Sequence, residues 1–138
     1  MTIQRPLIST TVPTNAMFDV AVMSRLVDGD QELLQITGQA IAEDISERLT
    51  SLQQAFQAQN QETLTREVHT LKSHAATAGA QELRNFMQAL EERCLQQHAL
   101  DAEMIAEIHV RYLALQSALQ KYFTEFTQPQ SDGVATKH

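Results

Sequence analysis

A histidine and a lysine one helical turn apart, among small side chains, suit the handling of an anionic group. In this 138-residue chain the pair is His69 and Lys72, followed by Ser73, Ala75, Ala76 and Ala78. Imidazole has a reference pKa of about 6.5, so its neutral, nucleophilic form is abundant near neutral pH. It can attack phosphorus and later leave again. An ammonium at i+3 shares the patch and can balance the charge of a phosphoryl group held on His69.

The spacing predicts a helix whose buried stripe is Leu64, Val68, Leu71, Ala75 and Ala78. At about 100° per residue, His69 falls roughly 140° from the centre of that stripe and faces solvent. Ser73 falls nearly opposite the core, and Arg66 and Ala76 flank the same exposed strip. Helical side chains lean toward the N-terminus, so Ser73 lies over His69. Ser73 and Ala76 are small and leave room for a second protein to reach the imidazole.

Other candidates are weaker. His74 falls about 80° from the stripe, a flank position without an assigned role. His98 and His109 have no partner histidine at i+4. No Glu-x-x-His pair, Cys pair or His-x₃-His motif occurs, so di-iron and zinc sites lack ligands and no metal site is expected. Cys94 shares a helical side with Leu83, Phe86 and Leu90 and reads as a buried thiol. There is no Gly-rich phosphate loop, no nucleophile elbow and no ATP-binding apparatus of a kinase. The chain is expected to receive phosphate rather than to phosphorylate itself.

The surrounding elements are legible from composition and periodicity. Hydrophobic residues make up 43% of the chain, aromatics only 5%, and Trp is absent. From Asn15 to Phe126 there is no Pro, and the good helix formers Ala, Leu, Gln and Glu dominate. We expect a first helix from about Ala16 to Val27, capped by Thr14 or Asn15 and ended by the Asp28-Gly29-Asp30 turn. A second runs from Gln31 to about Gln59, burying Leu34, Ile41, Ile45, Leu52 and Phe56, and Asn60 breaks it. The third runs from Gln61 to Ala78, ended by Gly79, and the fourth from Ala80 to about Gln97. Asp101 caps the last, about Ala102 to Phe126, with the stripe Ile105, Ile108, Tyr112, Leu115, Leu119, Tyr122 and Phe126. Short turns favour antiparallel neighbours. The expected fold is all-α: an antiparallel up-and-down four-helix bundle with an additional short N-terminal helix. Residues 1–14 read as a flexible arm or interdomain linker, 15–127 as the folded domain and 128–138 as a disordered tail.

A net charge of −7 excludes the basic stripe of a nucleic-acid binder and argues against an anionic membrane. No segment approaches the roughly 20 apolar residues of a membrane span. The single cysteine fits a reducing compartment. The expectation is a cytoplasmic chain without membrane insertion. Much of the first helix is apolar, and Phe18 and Val22 are candidate docking residues for a partner.

The segment His69-Thr70-Leu71-Lys72-Ser73-His74-Ala75-Ala76-Thr77-Ala78-Gly79-Ala80 resembles the pattern of histidine phosphotransfer domains: His-x-Leu-Lys-Gly, a run of small residues, then Gly. Leu83, the Leu90-Glu91 pair, the Phe18-Asp19 start, the Asp28-Gly29-Asp30 turn and the long second helix match that layout, over about Asn15 to Phe126. The resemblance implies that His69 is the phosphoacceptor and that Lys72 steadies the phosphoryl oxygens. It also implies that Gly79 ends the helix and that Glu91 orients the imidazole. Two positions depart from the pattern: Ser73 replaces the usual Gly, and His74 is uncommon. At the position of Glu91 some relatives have Gln. A carboxylate there would repel a phosphoryl group.

The family implies a phosphorelay intermediate, a monomer in bacterial two-component signalling. It would accept a phosphoryl group on His69 from a receiver-domain aspartate and pass it to another receiver. The chain would bind no cofactor, Mg²⁺ coming with the response-regulator receiver. It is a free-standing relay protein or the C-terminal module of a hybrid sensor histidine kinase, tethered in that case to the inner membrane through its parent. The alternative is a non-catalytic adaptor bundle without phosphate chemistry.

Overall fold

The computed structural model describes residues 17–137, with side chains through Thr124. Among them every regular element is helical: α1 (Val20–Leu26), α2 (Gln31–Ala58), α3 (Gln61–Ala78), α4 (Gln81–Leu95) and α5 (Ala102–Lys137). Helices α2 to α5 form the antiparallel bundle, and α1 lies against α3 and α2. The expected arm, and the caps Thr14 and Asn15, lie outside the described residues.

Short polar side chains start most of the helices. Asp30 Oδ1 accepts from the amides of Glu32 and Leu33, Asn60 Oδ1 from Thr63, and Asp101 Oδ1 from Met104. The connections are tight because their residues take left-handed backbone: Asp28 and Gly29 before α2, Gln59 after it, and Gly79 at φ 73° after α3. Asn60 therefore caps α3, while Gln59 closes α2.

Three boundaries differ from the sequence reading. Helix α1 starts at Val20, not Ala16. Asp19 is extended, caps α1 through Ala21, and gives its own N–H to Ala78 O at 2.8 Å. That amide is bonded outside α1, which pins the helix to the end of α3. Helix α4 ends at Leu95 because Gln97 adopts φ 67°. Helix α5 runs past Phe126, where its apolar stripe was expected to end. A stripe measures burial, whereas a nucleated helix extends one bond per residue beyond the face it buries.

One core cluster runs through the bundle, aliphatic as the composition implies. Its α5 contribution is Ile105, Ile108, Tyr112, Leu115, Leu119 and Phe123. Phe123 replaces the expected Tyr122 because alternating steps of three and four drift off the true helical period; a second step of four restores the register. Tyr122 is half-buried and stands edge-on to Phe18 and Phe123 at 5.6 and 4.9 Å. The Phe123 ring fills the place of the missing side chain at Gly38. Gly38→Ala is expected to destabilise the fold by about 2 kcal/mol through overpacking, read as a lower urea midpoint. An unchanged midpoint would mean that the ring moves freely.

Candidate functional site

The buried stripe of α3 is the expected one: Leu64, Val68, Leu71, Ala75 and Ala78 are each at most 3% exposed. The His69 side chain is consequently 58% exposed. Arg66, Ser73 and Ala76 are also exposed on α3. From the core side, the Tyr112 hydroxyl of α5 donates to the Leu71 carbonyl. Burial pushes the Tyr112 phenol far up, so it stays protonated as the donor.

His69 is held by α4. Its Nδ1 lies 2.7 Å from Glu91 Oε2. An ionised carboxylate only accepts, so the facing ring nitrogen carries the proton. In the neutral ring, that leaves Nε2 with the lone pair. The other carboxylate oxygen, Glu91 Oε1, is 2.6 Å from Lys72 Nζ. Lys72 also donates to Gln88 Oε1 at 3.0 Å. His69 and Lys72 thus share the Glu91 carboxylate, and the lysine ammonium offsets the charge that would otherwise repel a phosphoryl group.

Burial opposes ionisation of Glu91, but the hydrogen bonds from Lys72 and His69 outweigh it and hold the carboxyl below the usual carboxylate range. A carboxyl with a lowered folded-state pKa stabilises the fold above its unfolded pKa. That contribution disappears as pH falls through the folded value. The stability gap between the native chain and Glu91→Gln is therefore expected to be largest near neutrality and to close below about pH 4. Chemical denaturation across pH 3 to 7 measures it; a gap that persisted in acid would contradict the ion pair.

Other expected site residues are placed differently. Phe18 is 1% exposed in the core and cannot meet a partner. It lies before α1 with its ring against Tyr122, so the apolar face of this end turns inward. Val22 is half-buried beside Gly79. Gly79 ends α3 ten residues beyond His69, about 15 Å along the axis. Its left-handed backbone and the close approach of Asp19 and Val22 require a residue without Cβ. His74 turns to α2, where its Nε2 is 2.7 Å from Asp44.

Sequence reasoning missed an ion pair between α3 and α2 whose carboxylate is buried and whose arginine is half-buried. Glu67 is 2% exposed and receives both Arg48 Nη1, at 2.9 and 3.0 Å, and the Ser51 hydroxyl. Burial works against the Arg48 charge, but the carboxylates of Glu67 and Asp44 outweigh it and hold the guanidinium protonated. Gln88 was also missed, although it sits one turn before Glu91 on α4 and so shares its face.

Cys94 is buried, and burial pushes its thiol up despite the Thr65 hydrogen bond, which suits a core residue. His98 is exposed, and His109 Nδ1 lies 3.0 Å from Ile105 O of its own helix. Among the described residues no group of three acidic, His or Cys side chains could hold a metal ion, and no helix is long and apolar enough to cross a membrane.

Two solved structures share the fold. Histidine-containing phosphotransfer protein B (HptB) from Pseudomonas aeruginosa PAO1 is 21% identical, with 79% of this chain and 96% of that chain covered and a TM-score of 0.70. The HPT domain of the Hpt sensor hybrid histidine kinase from Shewanella is 14% identical, with 80% and 96% covered and a TM-score of 0.71. No curated protein matches the chain. The model of the Hpt domain family matches residues 39–124, which span all of α3 and α4, the two helices that build the His69 site, and most of α2 and α5. A bundle of this form and a family match over more than half its length place the chain in the Hpt domain family, whose members are phosphotransfer carriers.

Proposed function

We propose that the chain is a phosphorelay intermediate working through His69. A receiver domain supplies an aspartyl phosphate and Mg²⁺. His69 Nε2 attacks phosphorus in line, the N–P bond forms, and the P–O bond breaks with its electron pair returning to the aspartate. A second receiver aspartate takes the phosphoryl group by the reverse step. The observation that carries this reading is the single hydrogen bond from Nδ1 to Glu91, on a ring that is otherwise 58% exposed. It orients the ring for attack by Nε2 and shares the positive charge that the ring acquires on phosphorylation.

Lys72 then offers a cation to the phosphoryl oxygens, and Arg66, Ser73 and Ala76 form the contact surface around the imidazole. Val22 belongs to a more distant edge of that surface. Positioning and charge neutralisation do most of the work, and no kinase activity resides in this chain. We assign it to the cytoplasm as a monomer, either free-standing or as the C-terminal module of a hybrid sensor kinase.

Incubation with a ³²P-labelled receiver domain tests the proposal. The expected product is one acid-labile, base-stable phosphate on this chain. If several phosphorylated receivers bind but leave it unlabelled, an adaptor role replaces the relay.

A further inference from the structure

We propose that Gln88 is a positioning residue that fixes Lys72, and through it the charge beneath His69. This rests on His69 being the phosphoacceptor.

Gln88 is half-buried on α4. Its Nε2 donates to Glu92 Oε2 at 2.9 Å, which turns Oε1 toward Lys72 Nζ at 3.0 Å. A lysine ammonium is a point charge on a flexible stem, and a carboxylate alone can hold it from many directions. The Gln88 carbonyl adds a second fixed point. Two of the three Lys72 donors are then satisfied on α4, one by Glu91 and one by Gln88. The third remains for an oxygen of the phosphoryl group.

The arrangement also sets the imidazole. Glu91 can accept the hydrogen bond from Nδ1–H without presenting net negative charge only while Lys72 stays against it. If Lys72 left, the carboxylate would face the incoming phosphoryl group unbalanced. The ion pairs of His69 and Lys72 converge on Glu91 of α4. On α2, Arg48 engages Glu67, Asp44 engages His74, and Asp44 and Glu47 both pair with Arg48. Gln88 is thus the neutral group that controls where the local cation stands.

The test compares the full chain with Gln88→Leu and Gln88→Glu, reading the ¹H–¹⁵N signal of the Lys72 side-chain ammonium and the rate of phosphoryl acceptance. In the native chain two of the three ammonium donors are held, so its protons are expected to exchange slowly with water. Gln88→Leu should speed that exchange and slow acceptance about tenfold each, the worth of one hydrogen bond to a charged group. Gln88→Glu keeps an acceptor for Lys72 and should keep the slow exchange. Backbone spectra establish that each variant is folded, and Gln88→Met replaces Gln88→Leu should the latter fail to fold. Native exchange or a native rate in the folded apolar variant would overturn the proposal. So would loss of the slow exchange in Gln88→Glu. The ammonium signal needs no phosphate, so it decides the role of Gln88 even if no receiver labels His69; that result would count against the relay reading alone.

Discussion

Replacing His69 with Gln is expected to abolish phosphoryl acceptance and leave the fold intact. The side chain is 58% exposed and lies off the buried stripe, so the change opens no core cavity. Stability should stay within about 0.5 kcal/mol of the native chain. Gln can still donate to Glu91, but its amide nitrogen is not a nucleophile. Loss of a covalent acceptor removes the reaction path, and labelling should fall by roughly a thousandfold or more. His74→Gln should label normally, because His74 is bound to Asp44 on the flank facing α2. Label on His69→Gln would move the acceptor elsewhere, with His74 the first residue to examine.

Arg48→Met carries the largest expected loss of stability. Glu67 is almost wholly enclosed, and its carboxylate is satisfied by Arg48 and Ser51. Met preserves much of the arginine stem but removes the cation. One hydroxyl then remains to serve a buried charge. Breaking such a pair from one side costs about 3 kcal/mol or more, equivalent to a fall in Tm of roughly 10 °C for a domain of this size. The double variant Arg48→Met/Glu67→Leu should recover most of the loss, because apolar residues replacing both members of a buried pair come close to neutral. Urea titration of the three proteins decides the matter. A loss under about 1 kcal/mol for Arg48→Met would show that Glu67 finds another partner or takes up a proton.

The stripe of α3 and the exposure of His69 were legible because both follow from helical period alone. Gly79 and Asp101 were legible as boundary residues for equally local reasons. Glu67 was not. It stands beside Val68 and reads as a surface acid until Arg48, 19 residues earlier on another helix, is brought against it. The same holds for the link between Lys72 and Gln88, 16 residues apart. Helical periodicity tells which way a side chain points, but not which polar group waits there. Phe18 shows the limit for apolar residues. The apolar surface of the first helix suggested a docking site, whereas Asp19 bonding to Ala78 turns this end of the chain inward and seats Phe18 in the core. At Glu91 the resemblance gave the correct neighbour and an apparent electrostatic conflict; Lys72 resolves it through the other carboxylate oxygen.

The bond from Tyr112 to the Leu71 carbonyl has a kinetic consequence. It tethers the turn that carries His69 to the opposite helix, in a part of the bundle where Val68 and Leu71 are fully enclosed. Amide protons around this turn should exchange with solvent only through global opening, since local fraying would have to break a buried tether. The surface offered to a partner is therefore finished before the partner arrives. Nothing has to be ordered on contact, so encounters can be fast and short-lived. Under the proposed relay, a carrier built this way would leave one partner and meet the next without refolding between them.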